Sequence, residues 1–273
     1  MNPLIVVEKR NQNDFLDNFS VPNYCIFAFE GKGSFSVDFT EYEFQGKTLL
    51  FLTPYQHFQI VCGQLEDMAL LQFHGDFYCI EYHKKEVACN GLLFNNIFLM
   101  PHIHISTESY REIRTIFDKI TNECISSNEF SQSVLKSYLQ LVLALSSKEK
   151  SMMLNQETLG VDHNMASEFQ SSLEKHYCTE RSVMFYAGKA GLTVDAFSKK
   201  IKQSLGKTPT KLIQERVVLE AKKKLHLTHK SIKEIAYEMN FEDEFYFSRF
   251  FKKAVGQSPK HFRENVGLSV VAK

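Results

Sequence analysis

Phe197-Ser198-Lys199-Lys200-Ile201-Lys202, then Gly206 and Pro209, returns fifty residues later as Phe247-Ser248-Arg249-Phe250-Phe251-Lys252, then Gly256 and Pro259. From Phe197 through Pro209 and from Phe247 through Pro259 the two copies run without a gap. Each follows a short helical pattern and a tight turn: Val183, Met184, Phe185 and Ala187 before Gly191, and Ile232, Ile235, Ala236 and Met239 before Asn240. A sharp corner between helices wants a residue at positive φ, which Gly and Asn tolerate best. In the second helix of each copy, Phe197 and Ile201, and likewise Phe247 and Phe251, are four residues apart and share an inward face. Gly206 and Gly256 are placed as C-cap residues, and the prolines that follow cannot continue the helix. A short amphipathic helix, a turn and a second helix of mixed apolar and basic residues is the pattern of a helix-turn-helix. Two of them predict sequence-directed binding to double-stranded DNA.

The outward residues of the second helices would meet the major groove, bases at the N-terminal half and phosphates at the flanking cations. That assigns base contact to Asp195, Ser198 and Lys199 in the first copy and to Glu244, Tyr246, Ser248 and Arg249 in the second. Lys200, Lys202, Lys252 and Lys253 are assigned to phosphate. Any exposed helix carries Lys and Arg for solubility, so the argument rests on the duplicated constellation and not on any one cation. Between the copies, Thr210 to Leu227 has no internal Pro or Gly and is apolar at Leu212, Ile213, Val217, Leu219, Ala221 and Leu225. It reads as one helix about 27 Å long at about 1.5 Å per residue. Such a rod can hold two recognition helices about one DNA turn apart, near 34 Å.

Residues 164 to 264 resemble the DNA-binding domain of the AraC/XylS family of bacterial regulators. The resemblance is carried most specifically by Ile235-Ala236-Tyr237-Glu238-Met239-Asn240-Phe241, Tyr246-Phe247-Ser248-Arg249-Phe250-Phe251-Lys252-Lys253, Gly256, Ser258-Pro259 and Phe262-Arg263. Two departures stand out: Asn240 where the family has Gly, and the acidic run Glu242-Asp243-Glu244 at the start of the second recognition helix. Those charges suit a helix N-terminus but repel phosphate.

Charge divides the chain in the same place. The formal net charge is zero, yet residues 164 to 273 hold 20 Lys/Arg against 12 Asp/Glu, and residues 1 to 163 hold 12 against 20. The basic part would supply the electrostatic share of DNA affinity. At 273 residues and 44% hydrophobic the chain is long enough for two cores. The opening MNPLIVVEKRNQNDF has no basic stretch followed by a long apolar run, so no signal peptide is expected. No apolar run approaches a membrane span, and six scattered cysteines without a C-x-x-C pair point to a reduced, cytoplasmic setting.

The first part of the chain alternates, as in Ser34-Phe35-Ser36-Val37-Asp38-Phe39, and has short apolar runs at Tyr24–Phe29, Thr48–Leu52, Phe58–Val61 and Met68–Phe73. Turn signals at Gly31-Lys32-Gly33, Gln45-Gly46-Lys47 and Gly63 separate them. This predicts an antiparallel β-barrel or double-layered sheet. From Ser106 the period becomes helical, with one stripe at Tyr110, Ile113, Ile116, Phe117 and Ile120 and another at Val134, Tyr138, Leu141, Val142 and Leu145. The 24 Phe residues fall mostly on core positions of these patterns.

The expected fold is therefore α+β in two domains: a β-barrel over residues 1–105, a helical dimerisation segment over 106–146, a polar linker over 147–164 and an all-α double helix-turn-helix over 165–273. This order is similar to that of AraC-family members whose N-terminal domain is cupin-like. The resemblance implies a small-molecule effector in the barrel, a homodimer, and RNA polymerase as a further partner. His57 and His74 are the candidate pocket residues, with His83, Cys79 and Cys89 as weaker ones. Cupins that bind metal use H-x-H, a following Glu and a later His, and His102-Ile103-His104 with Glu108 fits the first three positions. Against this, Ser106-Thr107-Glu108 reads as a helix start, and no His follows within fifty residues. No metal, cofactor or catalytic residue is assigned. The competing reading is a metal-dependent cupin enzyme fused to a DNA-binding module.

Overall fold

The computed structural model describes residues 4–17, 19–38, 40–78, 92–94, 96–126, 128–157 and 163–267. The chain divides into two compact units, one built mainly from Met1–Asn96 and Met100–Gln156, the other mainly from Glu157–Leu268.

The first unit holds β1 (Ile5–Lys9), β2 (Tyr24–Val37), β3 (Thr40–Leu52), β4 (Phe58–Phe73) and β5 (His102–His104) in one sheet of order β1-β4-β2-β3-β5. All its pairings are antiparallel. The outermost strands, five and three residues long, do not pair with each other among the described residues. Among the described residues the sheet is thus open and antiparallel, where the sequence predicts a β-barrel or double-layered sheet.

The turn signals also proved to be something else. Gly31, Gly33, Gly46 and Gly63 lie inside β2, β3 and β4, which run through them and pair there, Gly33 opposite both Phe44 and Gly63. A Cβ on Gly33 would lie 2.2 Å from the Cys62 carbonyl oxygen, and one on Gly63 would lie 2.3 Å from that of Lys32. Gly31, Gly33 and Gly63 mark a close approach of strands, a second use of the same residue that a turn rule does not separate. The reversals instead contain Asp38 (φ 54°) and Tyr55 (φ 59°).

Both sheet faces are covered, so β2 reads as a continuous apolar run at its start. Tyr24, Ile26 and Ala28 join one core, while Cys25, Phe27 and Phe29 join the other with Phe15, Phe35, Phe44 and Phe58. The first core is closed by α1 (Thr107–Ile125) and α2 (Ser131–Glu157). On α1 the expected stripe from Tyr110 to Ile120 is buried. On α2 the buried face is Leu135, Leu139, Val142 and Leu143, leaving Val134 and Tyr138 half-buried and Leu141 exposed.

α2 also corrects the linker. It continues through Ser146, Ser147 and Lys150, all buried, to Glu157, so much of the polar stretch expected to join the domains is helix. The Lys150 ammonium donates to the Met100 carbonyl at 2.7 Å, which lets a charged residue occupy a buried helix face. Residues 158–162 lie outside the described chain.

The second unit contains α3 (His163–His176), α4 (Val183–Lys189), α5 (Val194–Leu205), α6 (Pro209–Leu227), α7 (Ile232–Glu238), α8 (Glu244–Val255) and α9 (Pro259–Val266). Phe169, Leu173, Tyr186, Ala187, Phe197, Ile201, Leu212 and Ile213 make one core. Met184, read from sequence as part of that apolar pattern, is 71% exposed, and Tyr186 is buried in its place. Around α8 the rings of Phe241, Phe247, Phe251 and Phe262 follow one another at 5.1 to 6.0 Å between centroids. α6 contacts α5 on one side of the repeat and α7, α8 and α9 on the other.

Candidate nucleic-acid interface

The two helix-turn-helix units are built by the same local bonds. After α4, Gly191 takes φ 66° and the Leu192 amide donates to the Ala187 carbonyl at 3.0 Å; after α7, Asn240 takes φ 57° and the Phe241 amide donates to the Ala236 carbonyl at 2.9 Å. Thr193 caps α5 by accepting from the Ala196 amide, and Asp243 caps α8 by accepting from the Tyr246 amide at 2.6 Å. Leu192 precedes its cap directly, whereas Glu242 stands between Phe241 and Asp243. The second turn is therefore one residue longer. The acidic run has a structural use: Asp243 is the cap and Glu244 lies in the favoured first turn. Gly206 (φ 71°) and Gly256 (φ 84°) end α5 and α8 in the left-handed conformation. Pro209 and Pro259 then open α6 and α9 behind N-caps Thr208 and Ser258.

Of the residues assigned to DNA from sequence, Asp195, Lys199, Lys200 and Lys202 are exposed on α5, and Tyr246, Arg249, Lys252 and Lys253 are exposed on α8. Ser198, Glu244 and Ser248 are half-buried. Phe197, Ile201, Phe247 and Phe251 are buried, so the inward faces are as read. Sequence reasoning missed Phe245, which is 68% exposed, and Val194 and Ala196 on α5. The signal was present in the spacing: Phe245, Arg249 and Lys252 stand at i, i+4 and i+7 and share one outward stripe. Tyr246 is less free, its ring 5.8 Å from that of Phe241.

The surplus of positive charge in this unit is of two kinds. Lys207 pairs with Glu215 at 2.8 Å, Arg216 with Glu174 at 2.8 Å, and Lys224 with Glu238 at 2.9 Å, all around α6. Among the described residues no ion pair holds Lys199, Lys200, Lys202, Arg249, Lys252 or Lys253. The outward faces of α5 and α8 thus carry cations left for an outside anion.

In the first unit the candidate pocket residues are not brought together. His57 and His74 flank the two ends of β4. The His57 amide donates to Asp38 Oδ1 at 3.1 Å, and its Nδ1 is buried with no hydrogen-bond partner among the described residues. His74 Nδ1 accepts from the Asp76 amide at 3.2 Å. Cys79, His83 and Cys89 lie outside the described residues. His102 and His104 share one side of β5, rings 5.5 Å apart. The His102 ring lies edge-on to Phe35 (5.2 Å) and Tyr42 (5.7 Å). Burial, reinforced by His104 and Lys150, lowers its pKa to about 4, so it is neutral near pH 7. His104 Nδ1 lies 3.3 Å from the Thr48 hydroxyl. Glu108 is exposed in the first turn of α1, which Ser106 caps. Among the described residues no three His, Cys, Asp or Glu side chains are grouped to hold a metal ion, and no helix is long and apolar enough to cross a membrane.

Residues 186–265 match the family described as a helix-turn-helix domain. This region is a helix-turn-helix domain. The chain is 28% identical over 113 residues to the HTH-type transcriptional activator RhaS of Enterobacter sp., a match that spans 41% of this chain and 41% of that protein. It is 28% identical over 98 residues to the raffinose operon transcriptional regulatory protein RafR of Pediococcus pentosaceus, spanning 36% of this chain and 35% of that one. The chain thus matches about two fifths or less of the length of these relatives. A crystal structure of apo ToxT from Vibrio cholerae aligns over 97% of this chain and 99% of its own, at 14% identity and a TM-score of 0.45.

Proposed function

We propose that the protein is a sequence-specific, DNA-binding transcriptional regulator in which α5 and α8 enter successive major-groove segments. The observation that carries this reading is the duplicated outward face: two helices with N-caps at matching positions, a Gly C-cap and a buried pair four residues apart, each presenting cations that no ion pair consumes. Lys199 and Arg249 occupy matching positions and would read base edges, with Asp195, Ser198, Glu244, Tyr246 and Ser248 beside them. Lys200, Lys202, Lys252 and Lys253 would hold phosphates and fix the register. RhaS and RafR, each similar to part of this chain, carry names of transcriptional regulators, which agrees with this reading.

For the first unit the proposal is a cupin-like sensor domain that receives a small-molecule signal, with α1 and α2 supporting a homodimer. Exposed apolar side chains at Ile125, Phe130 and Leu141, on or between those helices, support a partner there. RNA polymerase is the further partner expected of such a regulator. Selection from a random DNA pool with the full-length protein, read over a salt series, tests the core of the proposal. Enrichment of paired half-sites near one DNA turn apart is the expected result. Weak binding indifferent to sequence would overturn it.

A further inference from the structure

Arg181 lies in the loop between α3 and α4, outside both helix-turn-helix units, yet its guanidinium ends in the turn of the second one. Nη2 donates to the Met239 and Asn240 carbonyls, the latter at 3.4 Å, and to the Cys178 carbonyl of its own loop at 3.3 Å. The guanidinium carbon sits 3.7 Å from the centroid of the Phe241 ring. Met239 caps α7, and its carbonyl lies where a helix end leaves acceptors open and favours a cation. Phe241 seats α8, its ring 5.1 Å from Phe247 and 5.4 Å from Phe250. One side chain thus touches both the backbone that makes the turn and the ring that positions the recognition helix.

The other end of the same loop is held from α6. Arg216 lies 3.8 Å from the centroid of the Tyr177 ring and pairs with Glu174 and Glu220. Apart from these contacts the two helix-turn-helix units are linked through α6, which packs against α5 on one side and α7, α8 and α9 on the other; Arg181 adds a tie that does not run through α6.

We propose that Arg181 is a positioning residue that locks the second helix-turn-helix unit against the first, so that the protein accepts one half-site spacing. This rests on the DNA-binding reading above. The flat guanidinium matters, because a lysine can offer charge and donors but no planar face to lie on Phe241.

The test uses full-length protein and duplexes carrying the selected half-sites at the selected spacing, at spacings changed by one or two base pairs, and singly. Wild type should fall off steeply with altered spacing. Arg181→Ala and Arg181→Lys, checked for folding by thermal melting, should bind single half-sites as wild type does. Their preference for the selected spacing should drop about tenfold, a coupling of ordinary size. A spacing profile unchanged in both variants overturns the proposal. So does loss of single half-site binding in Arg181→Ala with a wild-type profile in Arg181→Lys, because the residue would then serve folding alone. If wild type selects no sequence, the functional reading fails instead. The lock is then judged by amide exchange: faster exchange at Asn240 and Phe241 in Arg181→Ala supports it, and unchanged protection rejects it.

Discussion

Phe245 places an exposed aromatic ring on the outward stripe of α8, where a cation or amide would be the ordinary occupant. A ring at that place suits the thymine methyl group in the major groove. Phe245→Ala should weaken binding to the selected site about tenfold, concentrated at one A·T pair, and leave scrambled DNA unaffected; equal losses on both would reject the contact. Lys199→Ala and Arg249→Ala should change sequence preference by about 1–3 kcal/mol. Lys202→Ala should weaken all sequences alike and reduce the salt slope by about one. His102 gives a second kind of prediction. Its folded pKa of about 4 lies below the ordinary 6.5, so between those values the unfolded chain binds a proton that the folded chain refuses. Stability should therefore fall as pH drops from about 6.5 to about 4, by roughly 1.4 kcal/mol per unit. His102→Phe should flatten that slope in denaturant melts, and an unchanged slope would assign it elsewhere.

Helices α4, α5, α7 and α8 were legible in sequence because each boundary is marked by a residue with one job: Gly206 and Gly256 in the left-handed conformation, Asn240 in the turn, Pro209 and Pro259 at helix starts. The sheet was less legible because its glycines do a different job, and α2 because Ser146, Ser147 and Lys150 are polar yet buried. The extra residue Glu242 went unseen because the repeat is in register only after it. Two substitutions test these assignments. Asp243→Ala should cost about 1 kcal/mol by removing the α8 cap. Gly63→Ala should cost ~3 kcal/mol or more, since its Cβ would meet the Lys32 carbonyl at 2.3 Å at φ +116°. A shift of the unfolding midpoint below the first figure for Gly63→Ala would mean that the strands can part without penalty.

Taken whole, the chain separates an acidic sheet-and-helix unit from a basic helical one, and the compact units fall close to the charge boundary read from sequence. A fragment beginning at His163 should fold and bind the same half-sites more weakly than the full chain, because a second linked copy raises effective concentration by orders of magnitude. Equal affinity of fragment and full chain would remove the homodimer from the proposal. The unequal second turn has one more consequence. Its two reading heads are not copies: α5 offers Asp195, Lys199 and Lys200, while α8 offers Phe245, Tyr246 and Arg249 after an added residue. On the proposed function, a single protomer would therefore read an asymmetric word, and such a word has a direction. Inverting the site beside a promoter would turn the molecule end for end, giving the regulator a sense of upstream and downstream that a palindrome reader lacks.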